Sequence, residues 1–402
     1  MTATAKWKPA KLDELGFVGR GKSRHRPRNA AILYGGSYPF FQTGDIKAAN
    51  FYLTEFTQTY SEEGLAQSKL WKPGTLCITI AANIAESAIL GIEGCFPDSV
   101  VGFVADPDKA DVRFIKYYME ILKLQMQSVS RGTTQDNLSV DKLLSFDFCV
   151  PPLPLQRRIA GILSTYDELI ENNQRRIRIL EDMARSLYRE WFVNFRYPGH
   201  DSPRPQAGEG AGVRAGFVDS PLGQIPQGWE VKKLGDVVEL NYGKALKKED
   251  RRDGEYPVFG SSGIVGMHDT ALVKGPGIIV GRKGNVGSIF WCDEDFFVID
   301  TAYFVTSSLP FRFLFYVFPT LNFINSDAAV PGLSRNQAYT LEILVPPTSL
   351  LSQFCELAET FERQAATHQR QTANLRRTRD LLLPRLLSGQ VSLATDTPPI
   401  TA

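Results

Sequence analysis

The sequence predicts an α+β chain built as two homologous strand-rich halves, each followed by a long helix. Three observations carry this: an internal repeat, an abrupt change of texture after a Val-Pro-Pro in each half, and a heptad pattern beyond it. Trp7-x4-Leu12 recurs as Trp229-x4-Leu234, an offset of 222 residues, and Gly21-Lys22 recurs at the same offset as Gly243-Lys244. Tyr38-Pro39-Phe40-Phe41 matches Tyr256-Pro257-Val258-Phe259 at offset 218. Lys72-Pro73-Gly74 matches Lys274-Gly275-Pro276-Gly277, each followed by apolar residues. Leu138-Ser139 matches Leu333-Ser334, and Val150-Pro151-Pro152 matches Val345-Pro346-Pro347, both at offset 195. The falling offset predicts a second copy shortened in its middle, with loops varying on a common scaffold.

Ahead of each Val-Pro-Pro the chain is rich in Gly, Pro, Phe and Tyr, with short β-branched runs such as 75–80 and 277–280, which predicts short strands and turns. After it, residues 155–195 contain no proline and, beyond Gly161, no glycine. Ile159, Leu163, Tyr166, Ile170, Asn173, Ile177, Leu180, Ala184, Leu187 and Trp191 step by four and three throughout, the 3.5-residue period of a coiled-coil seam. Adding 195 gives a weaker second seam of Phe354, Ala358, Phe361, Ala365, His368, Thr372, Leu375, Arg379, Leu382 and Leu386. Each helix spans about 45 Å or more at 1.5 Å per residue. Gln353 falls two residues beyond the position that offset 195 assigns to Gln156, which predicts a small insertion at the start of the second helix. The expected segments are a first domain (1–152), a first helix (153–197), a linker (198–221), a second domain (222–347), a second helix (348–390) and a flexible tail (391–402).

Composition excludes several classes. The 402 residues carry 45 Lys+Arg against 44 Asp+Glu, with 43% hydrophobic and 22% charged residues, which is ordinary for a globular protein. The longest purely apolar run, 313–318, is far short of a membrane helix, and the lysines at 6, 8 and 11 leave no room there for a signal peptide, so a cytoplasmic location is expected. Five scattered cysteines predict neither a disulfide framework nor a zinc site. The four histidines show no metal spacing, and Asp293-Glu294-Asp295 reads as a turn rather than a metal cluster. No metal is expected.

Gly16-x4-Gly21-Lys22-Ser23 fits the phosphate-loop pattern by letter. That mechanism needs an apolar strand before the loop and a helix after it, and Arg24-His25-Arg26-Pro27-Arg28 cannot open such a helix. A self-contained nuclease or ATPase using this motif is therefore the weaker alternative, as is a coiled-coil assembly protein that does not bind DNA. Positive charge is placed unevenly. Residues 1–28 hold eight Lys/Arg and two acids, whereas residues 29–150 hold nine and fourteen. Lys22, Arg24 and Arg26 in the first half correspond to Lys244, Lys247 and Lys248 in the second. Arg282, Lys283 and Asn285 lie in a glycine-rich stretch that lets backbone approach a partner. Arg131, Thr133, Thr134 and Gln135, with Arg335 and Asn336 in the second half, form mixed Arg and amide loops. Arg, Asn and Gln read base edges bidentately, while Lys and Ser/Thr mostly hold phosphates. These fifteen residues are the candidate DNA-binding set. No catalytic site is expected.

Taken in order, these features resemble the DNA-specificity subunits of type I restriction–modification systems, over nearly the whole chain. The marks are the Trp-x4-Leu opening of each half, Asn83-Ile84-Ala85 and Asn285-Val286-Gly287, and Gly132-Thr133-Thr134-Gln135-x2-Leu138-Ser139. Residues 150–159, from the Val-Pro-Pro into the first helix, are the most distinctive, and Asp219-Ser220-Pro221-Leu222-Gly223-x-Ile225-Pro226-x-Gly228-Trp229 is also typical. The first half lacks that Ile-Pro-x-Gly lead-in. The resemblance implies two target-recognition domains that each read one part of a split site in double-stranded DNA. It implies that the two long helices pack as an antiparallel coiled coil, set the gap between half-sites, and dock two DNA-methyltransferase subunits. Restriction and translocase subunits complete such complexes. S-adenosylmethionine and ATP are then expected on the partner subunits, with no cofactor on this chain.

Overall fold

The structure, a computed structural model, describes residues 7–130, 138–200, 216–323, 332–391 and 393. It divides into two compact units, 1–175 with 368–402, and 176–367. The long helices run over Leu153–Tyr188 and Thr348–Leu387, so each is shared between the units rather than forming a segment of its own.

Within the first unit, a five-stranded sheet has the order Gly16–Arg20, Val100–Ala105, Leu76–Thr79, Ser87–Leu90, Tyr52–Leu53. Within the second, a four-stranded sheet has the order Val238–Tyr242, Ala302–Ser307, Gly277–Gly281, Ile289–Cys292. Strand for strand, the first four members correspond. A smaller sheet also repeats: Tyr34–Phe40 pairs antiparallel with Gln58–Tyr60 and parallel with Gly94–Cys95, as Tyr256–Gly260 does with Gly263–His268 and Phe297–Val298. The opening strand of each half pairs with the strand that ends in Val-Pro-Pro, and the register is the same: Lys8 opposite Val150, Glu230 opposite Val345. The shortening falls at two places. Among the described residues, helix Thr43–Ala48 and strand Tyr52–Leu53 have no counterpart in the second unit, and the 19-residue helix Val112–Ser130 is matched by the 7-residue Phe311–Val317.

Each long helix starts one residue after its Pro-Pro, at Leu153 and Thr348, at offset 195. The Pro152 carbonyl accepts from the backbone N–H groups of Leu155 and Gln156, and that of Pro347 from Leu350 and Leu351. There is therefore no insertion before the second helix. Gln156 is buried and its side chain bonds the carbonyls of Lys109 and Pro151 and the N–H of Asp111. Buried Leu351 takes its place in the second unit, and Gln353 is exposed.

In the first unit, Ile159, Ala160 and Leu163 from the start of one long helix share a core with Leu386 and Leu387 from the end of the other. In the second, Trp191 and Phe192 share a core with Leu350, Leu351, Phe354 and Ala358. In each unit, then, the start of one helix meets the end of the other, which is antiparallel packing. The first helix closes on a π-turn over Arg189–Val193 instead of continuing as α-helix to 197. The wider turn lets the adjacent Trp191 and Phe192 both point inward, against Phe354 at 6.2 and 4.9 Å between ring centres.

Two outcomes follow from this packing. Phe354 is fully buried, so Phe354→Ala should cost about 3–5 kcal/mol in denaturant unfolding, while exposed Leu357→Ala stays within about 0.5 kcal/mol. A Cβ at Gly21 would lie 2.2 Å from the Pro97 carbonyl oxygen, and at Gly243 2.1 Å from that of Ile299. Gly21→Ala and Gly243→Ala should each lower stability by about 1–3 kcal/mol, read from the same unfolding curves.

Candidate nucleic-acid interface

The best-defined repeated feature is a tight turn after the central strand of each main sheet. In the second unit the Val286 N–H bonds the Gly284 carbonyl, Gly287 bonds Gly281, and Ser288 bonds Asn285. In the first unit Ile84 bonds Ala82, Ala85 bonds Thr79, and Glu86 bonds Asn83 in the same way. Gly284 and Gly287 take φ of +81° and +75°, and their counterparts Ala82 and Ala85 take +60° and +62°. The Leu333 N–H is bonded to the Arg282 carbonyl, and the Leu138 N–H to that of Ile80. Leu138 and Leu333 are thus tied to equivalent points on equivalent turns.

In the second unit this arrangement gathers four of the candidate residues. Arg282, Lys283, Arg335 and Asn336 line one concave site of about 600 Å³, together with Tyr242, Tyr303, Gly332, Leu333 and Ser334. Among the described residues, none of those lining the site is acidic and none of its three cations is in an ion pair. The Arg282 guanidinium lies 4.8 Å from the Tyr242 ring centre, and that of Arg335 lies 5.2 Å from the same ring. Arg282 donates to the Asp300 carbonyl at 3.1 Å and Arg335 to the Leu240 carbonyl at 3.4 Å. A guanidinium has five N–H donors, so each fork keeps donors for a ligand. Burial, reinforced by the neighbouring Tyr242, pushes the Tyr303 hydroxyl up to about 12, and it donates to the Leu333 carbonyl. Tyr303 is therefore neutral at pH 7, and the site is positive. Asn285 sits on the same turn, its side chain donating to Ser262 at 3.3 Å.

The other candidates are less gathered. Lys244, Lys247 and Lys248 are exposed and do not line the site. In the first unit Lys22, Arg24 and Arg26 are exposed on one extended segment, where the Arg26 guanidinium bonds the Ser23 and His25 carbonyls, each at 2.8 Å. Ile80 and Ala81 stand where the second unit has Arg282 and Lys283, so the first turn carries no cation. Lys69 lies 3.5 Å from the Trp71 ring centre, and its ammonium is held below its usual range by burial and then by the charge of Lys22. Arg131, Thr133, Thr134 and Gln135 lie outside the described residues.

Gly16–Arg20 is a strand of the main sheet, and the N–H groups of Gly21 and Lys22 are bonded to the carbonyls of Val100 and Phe96. Gly243 and Lys244 bond Ala302 and Val298 likewise. The donors a phosphate loop would offer are already used, and no helix follows, so this geometry overturns the nucleotide-binding alternative.

Along the two seams, Ile159, Leu163, Ile170, Asn173, Ala184, Trp191, Phe354, Ala358, Ala365, Thr372 and Leu386 are buried. Tyr166, Ile177, Leu180, Leu187, Phe361, His368, Leu375, Arg379 and Leu382 are half-buried. The imidazole of His368 is 3.1 Å from the Gln371 side chain. Sequence reasoning missed Tyr242, Tyr303 and Lys69.

Among the described residues, no helix is long and apolar enough to cross a membrane, and no group of three or more His, Cys, Asp or Glu could hold a metal. The chain is 22% identical to the MjaIX type I restriction enzyme specificity subunit of Methanocaldococcus jannaschii, over 96% of this chain and 93% of that one. It is 21% identical to the HindI specificity subunit of Haemophilus influenzae, over 94% and 98%. Its fold is similar to that of the type I restriction–modification S subunit of M. genitalium, with a TM-score of 0.64, 16% identity, and coverage of 96% and 97%. The family model for the type I restriction modification DNA specificity domain matches residues 4–182 and again 226–374, and the chain belongs to that family.

Proposed function

We propose that this chain reads a split target in double-stranded DNA, one part with each unit, and presents it to DNA-methyltransferase subunits of a type I complex. The observation that carries the reading is the duplication itself, since the same turn, bonded in the same way by Leu138 or Leu333, occurs in two units with different side chains. Equivalent scaffolds bearing different chemistry are what two different half-sites require. The chain is a specificity subunit and not the catalyst. S-adenosylmethionine then belongs to two methyltransferase subunits, and ATP to a restriction and translocase subunit where one is present. The complex works in the cytoplasm, where the host DNA is.

In the second unit, the Arg282–Tyr242–Arg335 group faces the duplex. Two guanidinium forks with free donors suit the paired acceptors of a guanine edge or a phosphate. Lys244, Lys247 and Lys248 hold the backbone nearby, as Lys22, Arg24 and Arg26 do for the first half-site. Held by such charges alone, a chain of net charge +1 binds duplexes weakly and depends on its partners to close around the DNA.

Deleting the gene and sequencing modified bases in host DNA should erase one split methylated motif; an unchanged methylome sinks the reading. In the assembled complex, Arg282→Ala should weaken binding by about 1–3 kcal/mol and relax preference within one half-site only. Lys244→Ala should weaken binding to all sequences alike and reduce the salt dependence of affinity by about one unit of slope, measured by titration at several salt concentrations.

A further inference from the structure

Each unit holds a carboxylate on a long helix that receives a tyrosine hydroxyl and an arginine from elsewhere in that unit. In the first unit, Tyr117 donates its hydroxyl to Asp167, which is also ion-paired with Arg379. In the second, Tyr316 donates to Glu362 at 2.8 Å, and Glu362 is ion-paired with Arg312. Asp167 and Glu362 are 195 positions apart, the offset of the two Pro-Pro pairs. Tyr117 and Tyr316 are 199 apart, the offset between the starts of the helices that carry them, Val112 and Phe311.

The cation has changed its origin while the hub has stayed. Arg113, the counterpart of Arg312, turns instead to Asp111 at 3.0 Å, where the second unit has Pro310. Arg379 fills the vacated role from the other long helix, where the second unit has Ala184. In the first unit Tyr117 is 3% exposed and the Asp167 side chain 11%, whereas the Glu362 side chain of the second is 31% exposed, so the first hub is the better shielded from water and its hydrogen bonds the stronger.

The position of the hub matters more than its existence. Each carboxylate lies 14 residues along its helix from Leu153 or Thr348, which is about 21 Å from the Pro-Pro joint at 1.5 Å per residue. Apolar packing of the domain on the helix is non-directional, and the Gln156 bonds to Lys109 and Asp111 lie close to the joint, where they have little leverage over the angle. A directional, charge-assisted bond at the far end of the lever resists rotation well. A swing of about 3.4 Å at that end equals one base-pair step along a duplex.

We propose that Tyr117–Asp167–Arg379 and Tyr316–Glu362–Arg312 are angular pins, each holding its recognition domain at one angle on its own helix pair. Together they restrict the tolerated gap between half-sites to a single value. The six are positioning residues, acting through the domains they hold. The inference rests on the reading of the chain as the subunit that recognises a split target.

The test complements a gene-deleted host with the wild-type chain or with Tyr117→Phe, Asp167→Asn, Tyr316→Phe or Glu362→Gln, and sequences the modified bases. The wild type should modify a split motif with one gap. Each variant should keep the base preferences of both half-sites, while the fraction of modified sites with a gap one base pair longer or shorter rises about tenfold, the effect of one lost charge-assisted hydrogen bond. An unchanged gap distribution, with total modification or thermal stability merely reduced, overturns the proposal. Because Tyr→Phe preserves the ring packing, the purified complexes of those two variants provide a second measurement, methylation rates on duplexes of native, shorter and longer gap. Equal discrimination by variant and wild type there also overturns it. Absence of any split motif with the wild-type chain is a different result, and defeats the underlying reading instead.

Discussion

The short antiparallel ribbon that closes each domain is the constraint on which the rest depends. Lys8–Ala10 pairs with Phe148–Val150, and Glu230–Lys233 with Glu342–Val345, so each domain begins and ends side by side. A proline follows each closing strand, and with no N–H it cannot extend the ladder. The second proline offers its carbonyl to the first turn of the long helix. Strand pairing and helix initiation are thus fused in three residues. Whatever lies between the ribbon strands can change length, as the Thr43–Ala48 helix, unmatched among the described residues of the second unit, demonstrates, without moving the point where the long helix starts.

That fusion explains what was legible in the sequence. The repeat could be read because its marks are backbone requirements: a ribbon register, a glycine pressed against a carbonyl at Gly21 and Gly243, a serine cap at Ser139 and Ser334. The seams could be read because one-sided burial of a helix imposes its period on sequence directly. Gln353 is a poor marker of register because the glutamine does not keep its place between the two units. Leu351 occupies the buried place of Gln156, so an apolar contact in one unit replaces a hydrogen-bonded one in the other. The π-turn at Arg189–Val193 was hidden for a related reason, since an inserted residue shows in sequence only as two adjacent aromatics, Trp191 and Phe192.

The site was legible only in part. Arg282, Lys283, Arg335 and Asn336 could be picked out by type, but nothing local joins 282 to 335. The Leu333–Arg282 backbone bond does so in space. Tyr242 and Tyr303 were invisible because their role arises across the sheet, where they are direct partners on neighbouring strands. Only that pairing puts a tyrosine ring beneath two guanidinium groups. The exposed lysines at 22, 244, 247 and 248 could be read as charge, which needs no fold to be seen, and for the same reason they specify little by themselves.

The two turns show how one scaffold carries two sets of side chains. Glycine adopts positive φ freely, yet the first unit keeps the same path with Ala82 and Ala85, at about 1 kcal/mol or more for each alanine. A turn retained against that strain is held by its surroundings: the sheet below it and the Leu138 N–H that bonds the Ile80 carbonyl require that path. Side chains above it are under no such demand, so Arg282 and Lys283 in one unit can be Ile80 and Ala81 in the other. Backbone geometry and recognition chemistry are therefore separable here. The exposed cations Lys22, Arg24 and Arg26 of the first unit lie away from its turn, on the segment that follows the Gly16–Arg20 strand, so the same frame carries a differently placed set of charges.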